Sequence, residues 1–183
     1  MYVHWIWTLN PAAHDRMVMD PKSAEEMTTC EKKGALQYLM CQKQKRCGNI
    51  KGRGCADGIK QREYVTNDDT SAPTVATEAL FLTCLISSME HHKEATVDIP
   101  GALMQLYMEG ETVHMKMEGK MSYLLTKLNP NLYRKFAKNK KGRTFLYVDL
   151  KRFLYGMLQA ALLFWKNLTS ILQEWGFEVN PYD

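Results

Sequence analysis

The sequence contains no Cys-x-x-Cys pair. Its five cysteines, at positions 30, 41, 47, 55 and 84 of 183 residues, are too few and too scattered for a disulfide framework, and their spacing argues against a zinc knuckle. It has no long apolar run either. The longest stretch, Phe153 to Trp165, is interrupted by Gly156 and Gln159 and ends at Lys166, too short and too polar to span a bilayer. No positively charged region precedes the apolar part of residues 1–10, so they make a poor signal peptide, and the expected location is intracellular and reducing, with no membrane partner. There is no internal repeat and no low-complexity tract. What is present is ordinary globular usage, 45% apolar and 24% charged, in a chain long enough for one domain.

The formal charge of +4 is unevenly spread. Residues 31–63 carry nine Lys and Arg against three acids, and residues 134–152 carry eight against Asp149 alone. The rest of the chain is acidic. Two basic islands of this kind fit a polyanionic partner, and they fit equally well two solvated, lysine-rich hairpins.

Periodicity predicts an α+β chain. Met19-Asp20-Pro21-Lys22 reads as a turn, with Pro21 suited to the first position of a helix over residues 23–40. Residues 41–66, punctuated by Gly48, Gly52, Gly54 and Gly58, read as a β-hairpin or meander. A helix is expected over 73–89, burying positions 75, 79, 82, 85, 86 and 89 along one face. Short strands are expected at 95–99, at 111–117 with Val113, Met115 and Met117 inward, and at 145–150. Residues 120–137 read as helix broken at Asn129-Pro130, and 157–175 as a helix capped by Gly176. Helices would then pack on one face of a mainly antiparallel sheet.

Several groupings could carry chemistry, each with a plainer reading beside it. Asp98 ends the short apolar segment 95–97, where a buried carboxylate needs a partner or a metal; beside Pro100 it could equally be a turn or capping aspartate. Glu90-His91-His92 has metal-ligating types on a polar connector that is more simply solvated. Asp68-Asp69 is an acidic pair in what reads as a capping loop before Pro73. Lys51-Gly-Arg53-Gly-Cys-Ala-Asp-Gly58 is a basic, glycine-rich segment able to bring backbone and cations to a phosphate, although it is not a Walker loop. Tyr155-Gly156, at the entrance of the last helix, could set backbone against a ligand or form a packed first turn.

Order and spacing make these groupings more specific together than apart. Lys51-x-Arg53-x-x-Ala56-x-Gly58-x-x-Gln61, Ser71-Ala-Pro73, Val97-Asp98-Ile-Pro-Gly-Ala102, Leu154-Tyr155-Gly156-x-x-Gln159-Ala160 and Trp175-Gly176-Phe177 follow one another as in the copia-type retrotransposon reverse transcriptase domain, which the chain resembles over roughly residues 20–183. The resemblance implies a right-hand polymerase: fingers in residues 35–75, partial palm in 76–183, with residues 1–22 an N-terminal segment of separate role and 23–183 the domain proper. It implies Asp98 as a catalytic aspartate holding Mg²⁺, helped by the backbone carbonyl of Ile99. It implies Lys51, Arg53, Leu103, Gly156 and Gln159 as nucleotide-binding positions, with a deoxynucleoside triphosphate and an RNA or DNA template-primer as partners, in the cytoplasm, a virus-like particle or the nucleus.

Two departures from the family pattern carry expectations of their own. Leu103 stands where an aromatic gate against the ribose 2′-hydroxyl is usual, which puts sugar discrimination in question. Leu158, Ala161 and Leu162 replace Lys, Pro and Arg of the family pattern, which makes the template side less polar. The family's paired aspartates follow on a later hairpin, leaving Asp98 as one carboxylate of three. The expectation is a polymerase fragment without polymerase activity, or else a non-catalytic basic module that binds nucleic acid, or an unstable remnant of a decayed element.

Overall fold

The structure, a computed structural model, describes residues 18–66, 68–93, 98–108, 110 and 112–179, and only the backbone of residues 50 and 51. Its frame is a sheet of six strands: β1 (Met19–Lys22), β2 (Leu36–Gln44), β3 (Ile50–Asp57), β4 (His114–Glu118), β5 (Lys138–Lys140) and β6 (Arg143–Leu150). The spatial order is β1-β6-β4-β2-β3, and β5 pairs with β6 on a separate stretch from β1. All pairings are antiparallel except β2 with β4, where Leu36 faces Met115 and Gln37 faces Lys116 in parallel. The sheet is therefore mixed, not antiparallel throughout.

Side-chain alternation fixes which face is buried. Met115 and Met117 of β4, Leu146, Val148 and Leu150 of β6, and Leu36 and Tyr38 of β2 point the same way into the main core. Helices α3 (Lys120–Leu128), α4 (Pro130–Tyr133) and α5 (Ala160–Glu174) supply Leu125, Tyr133, Ala160, Leu163 and Phe164 to it. Asn129 separates α3 from α4, and its Oδ1 accepts from the Leu132 amide at 3.2 Å, with Pro130 at the first helical position.

The expected single helical layer is incomplete as a description. Helix α1 (Thr29–Gly34) and the turns before it belong to a second, smaller cluster of Met27, Ala35 and Tyr147, with Ala24 and Phe145 against it. Tyr147 alternates with the core-facing Leu146 and Val148, so this cluster lies on the opposite face of β6.

Two further differences from the sequence reading have physical causes, and a third concerns a helix that forms but is not buried. The helix expected over 23–40 shrinks to α1, because Leu36 and Tyr38 alternate into the core once β2 pairs with β4 and β3. Residues 19–22 form an edge strand in place of a turn, a position that tolerates Pro21 since its missing N–H need not enter a ladder. Helix α2 (Thr77–Met89) forms as expected but buries none of its residues. It is apolar nearly all round, and Phe81, Leu82, Leu85 and Met89 are each more than half exposed. Of the strand expected at 95–99, residues 95–97 lie outside the described residues, and Asp98 and Ile99 are irregular.

Candidate functional site

Strand β3 carries the basic, glycine-rich segment to the edge of the sheet, where it meets the turn that precedes α5. The Ala56 amide donates to the Tyr155 carbonyl at 2.8 Å, and Cys55 and Tyr155 pair as an isolated parallel bridge. Gly156 has φ +89, and a Cβ there would stand 2.1 Å from the Ala56 carbonyl oxygen. A Cβ on Gly58 would stand 2.3 Å from the Gly156 carbonyl oxygen. Only glycine lets the two backbones approach this closely.

The junction is finished by a side chain. Gln61 is fully buried, and its Oε1 accepts from the Leu158 amide at 3.0 Å. Gln61 sits in a 3₁₀ turn, Gly58–Glu63, whose first amides are capped by Asp57. Two motifs almost a hundred positions apart in sequence are thus joined backbone to backbone.

On the outer side of that junction the Arg53 guanidinium lies over the Tyr155 ring, 5.8 Å from its centroid, and Tyr155 remains 39% exposed. Strand register places Lys43 opposite Lys51 and Cys41 opposite Arg53. The turn between β2 and β3 adds exposed Lys45 and Arg46. Lys43, Lys45, Arg46 and Arg53 form no ion pair among the described residues, so this hairpin presents uncompensated positive charge. The second basic island differs. Lys138 pairs with Glu25 at 2.6 Å and Lys151 with Asp20 at 3.6 Å, which offsets part of its charge.

The remaining expected site residues fall elsewhere. Asp98 is exposed, next to the turn at Pro100-Gly101, and forms no hydrogen bond or ion pair among the described residues. Leu103 lies in a 3₁₀ turn, Ala102–Gln105, and packs on the main core. Arg152 anchors the end of that turn, donating to the Gln105 carbonyl at 2.9 Å and lying over the Tyr107 ring at 3.8 Å. Gln159 lines a cleft of about 1120 Å³, together with Gln61, Gln105, Phe153 and Lys166. Among the described residues, no group of three His, Cys, Asp or Glu side chains converges as a metal site would require. Asp98 and the Ile99 carbonyl by themselves fall short of the donor set that two magnesium ions need. Asp69 accepts from the Thr66 hydroxyl at 2.7 Å without capping the helix that follows, whose cap residue is Ala76, and His92 pairs with Glu90 at 3.2 Å on the surface.

One polar cluster bordering the cleft escaped sequence reasoning. His114 Nδ1 lies 2.6 Å from Asp149 Oδ1, its Nε2 lies 3.5 Å from Glu31 Oε1, and Lys22 reaches Asp149 at 3.6 Å. Glu31 also closes a capping box with Thr28: its Oε2 accepts from the Thr28 amide at 2.6 Å, and the Thr28 hydroxyl accepts from the Glu31 amide at 3.2 Å. The Thr28 backbone bond, then its hydroxyl and His114, hold the Glu31 carboxyl below the ordinary carboxylate range. The alternation around 113–117 put His114 on the outer face, but its pairing with Asp149 depends on the β4–β6 register, which no local pattern reveals.

No helix among the described residues is long and apolar enough to cross a membrane. Comparison of the chain with models of known protein families, with curated proteins and with solved structures finds no match.

Proposed function

We propose that this chain is the fingers and part of the palm of a copia-type reverse transcriptase domain, and that the polypeptide of these 183 residues holds nucleic acid without polymerising it. The observation that carries the reading is the junction of β3 with Tyr155-Gly156. The resemblance rests on the order of separate motifs, and two of the most distinctive, Lys51-x-Arg53-x-x-Ala56-x-Gly58-x-x-Gln61 and Tyr155-Gly156-x-x-Gln159, meet through the residues that define them. Gly58, Gln61 and Gly156 each have a structural reason to be what they are.

The nucleic-acid part of the reading draws on the β2–β3 hairpin, where exposed cations stand beside the partly exposed Tyr155 ring. Such a surface suits a phosphate backbone, with the ring as a place for a base to stack. Asp98 matches one catalytic position of the family, and among the described residues no further carboxylates converge with it as two-metal chemistry requires.

The test is fluorescence anisotropy with a labelled single-stranded RNA across a salt series, paired with an incorporation assay on a primed RNA template. Binding is expected to be sequence-indifferent, with log K falling linearly with log salt. Arg53→Ala and Lys51→Ala should each shallow the slope by about 0.7, one phosphate contact on a single strand. Mg²⁺-dependent incorporation of deoxynucleotides should not exceed that of Asp98→Asn. Affinity independent of salt would overturn the binding half. Incorporation that Asp98→Asn abolishes would overturn the claim of inactivity.

A further inference from the structure

The β2–β3 hairpin carries two cysteines that the nucleic-acid reading does not use. Register sets Cys41 opposite Arg53 and Cys55 opposite Leu39, so the two cysteines are diagonal neighbours across adjacent strands. Residues at 39 and 41 share a face with 53 and 55, the face away from the core-directed Tyr38 and Ala56. Diagonal neighbours in an antiparallel pair sit about 7–8 Å apart at Cα, with Cβ atoms closer. Right-handed strand twist shortens one of the two diagonals. The register leaves no residue between the two on that face. A disulfide needs Cα atoms roughly 4.4–6.8 Å apart, so closure requires β2 to shift toward β3 along this diagonal. The other thiols, Cys30, Cys47 and Cys84, are exposed, on α1, in the β2–β3 turn and on α2 respectively.

We propose that Cys41 and Cys55 form a redox-responsive dithiol that closes to a cross-strand disulfide between β2 and β3, with a low-molecular-weight disulfide such as oxidised glutathione as oxidant. Cys41 is exposed and Cys55 only partly so, which sets the order of events. The Cys41 thiolate attacks one sulfur of oxidised glutathione and expels the first glutathione thiolate, leaving a mixed disulfide on Cys41. The Cys55 thiolate then attacks the Cys41 sulfur, the Cys41–glutathione bond breaks, and the second glutathione leaves. Two protein thiols lose two electrons and two protons; one glutathione disulfide becomes two glutathione thiols. Burial, and next the neighbouring Cys41, push the Cys55 thiol above its ordinary pKa, so the closing step needs a higher pH than an unperturbed thiol would. Closure would pin the two strands beside Arg53, the residue that lies over Tyr155.

Trypsin resolves the outcomes, because the sequence places Cys41 in the peptide 34–43, Cys47 in 47–51 and Cys55 in 54–60. The native full-length chain is incubated anaerobically with oxidised glutathione, quenched with acid, alkylated and mapped by mass spectrometry. The expected product has lost the mass of two hydrogen atoms, joins peptide 34–43 to peptide 54–60, and reverts with dithiothreitol. Its formation should quicken about tenfold per pH unit below the thiol pKa. Cys55→Ser should stop at a glutathione adduct on Cys41, and Cys41→Ser should form no bridge to residue 55. Joining of Cys41 to Cys47, a bridge between two chains, or separate glutathione adducts on Cys41 and Cys55 of the unmutated chain would each overturn the proposal. The mapping of the unmutated chain decides the matter whether or not the variants fold, and its result is independent of nucleic-acid binding.

Discussion

Replacing Gly156 with alanine tests whether the β3 junction holds the fold together. Two costs are expected, and the structure offers a control for each. The first is conformational: φ +89 is a left-handed value that costs an alanine about 1–2 kcal/mol. Gly142 isolates that cost. It has φ +75 in the β5–β6 turn, and nothing lies within 4 Å of where its Cβ would be. The second cost is overlap. A Cβ at 156 would stand 2.1 Å from a backbone carbonyl, which no rotamer change can relieve, so β3 must move away and strain the Ala56–Tyr155 hydrogen bond. That bond is worth about 1 kcal/mol, and its partners become half-satisfied when it stretches. Gly58 isolates this second cost: it has no left-handed φ, yet its Cβ would stand 2.3 Å from the Gly156 carbonyl. Gly142→Ala should therefore cost about 1–2 kcal/mol, Gly58→Ala about 1–2 kcal/mol, and Gly156→Ala about 2–4 kcal/mol, the two effects together. In thermal unfolding of a chain this size, each kcal/mol moves the midpoint by roughly 2–4 °C, so Gly156→Ala should melt several degrees below Gly142→Ala. Equal melting of the two variants would refute the claim that the close approach of the two backbones matters to stability.

Two further predictions concern groups that hold the site's neighbours. Gln61→Met keeps the volume but leaves the Leu158 amide without its acceptor. It should cost about 1–3 kcal/mol in urea unfolding, and an unchanged midpoint would show that the buried bond contributes nothing. Glu31 has a folded-state pKa below its unfolded value of about 4.3, so the stability it contributes is present above that value and is lost as pH falls through the folded one. Glu31→Gln should flatten the acid limb of a melting-temperature profile between pH 5 and pH 3; a profile identical to that of the unmutated chain would remove the capping box and the His114 contact as its cause.

The parts of the fold legible in the sequence were those where one local pattern decides. Met115 and Met117 alternate with polar neighbours and are fully buried; the last helix forms just before Gly176; Asn129-Pro130 divides two helices. Where tertiary pairing outweighs propensity, the reading failed. Residues 36–40 are mostly leucine, glutamine and methionine, good helix formers, yet pairing of Leu36 and Gln37 with β4 and of 37–40 with β3 makes them strand. Helix α2 shows the opposite limit. Its apolar spacing predicted the helix, but no spacing states what a helix apolar on nearly every side will pack against, and among the described residues nothing buries it. At the site, the glycine-rich β3 segment and Tyr155-Gly156 were both visible as motifs. Their contact was not, because the approach of Gly156 to Ala56 is a property of the folded pair and not of either segment.

That contact also separates the two halves of the candidate site. The space a side chain at 156 would occupy is filled by the carbonyl of Ala56, so this glycine is accounted for within the chain, without a ligand. Its consequence lies one residue earlier. With the 155–156 backbone locked to β3, the Tyr155 ring is held where Arg53 covers it, and a surface of cation and ring becomes part of the rigid sheet. Asp98 has no such support: among the described residues no hydrogen bond or ion pair ties it to β3 or to the turn before α5, and it is the Ala102–Gln105 turn, later in sequence, that Arg152 holds. Groups fixed on a sheet keep their geometry without a ligand, whereas an exposed carboxylate beside a turn acquires one only from what binds it. Binding through Arg53 and any chemistry through Asp98 should accordingly respond to mutation independently, with Arg53→Ala weakening nucleic-acid affinity and Asp98→Asn leaving it unchanged.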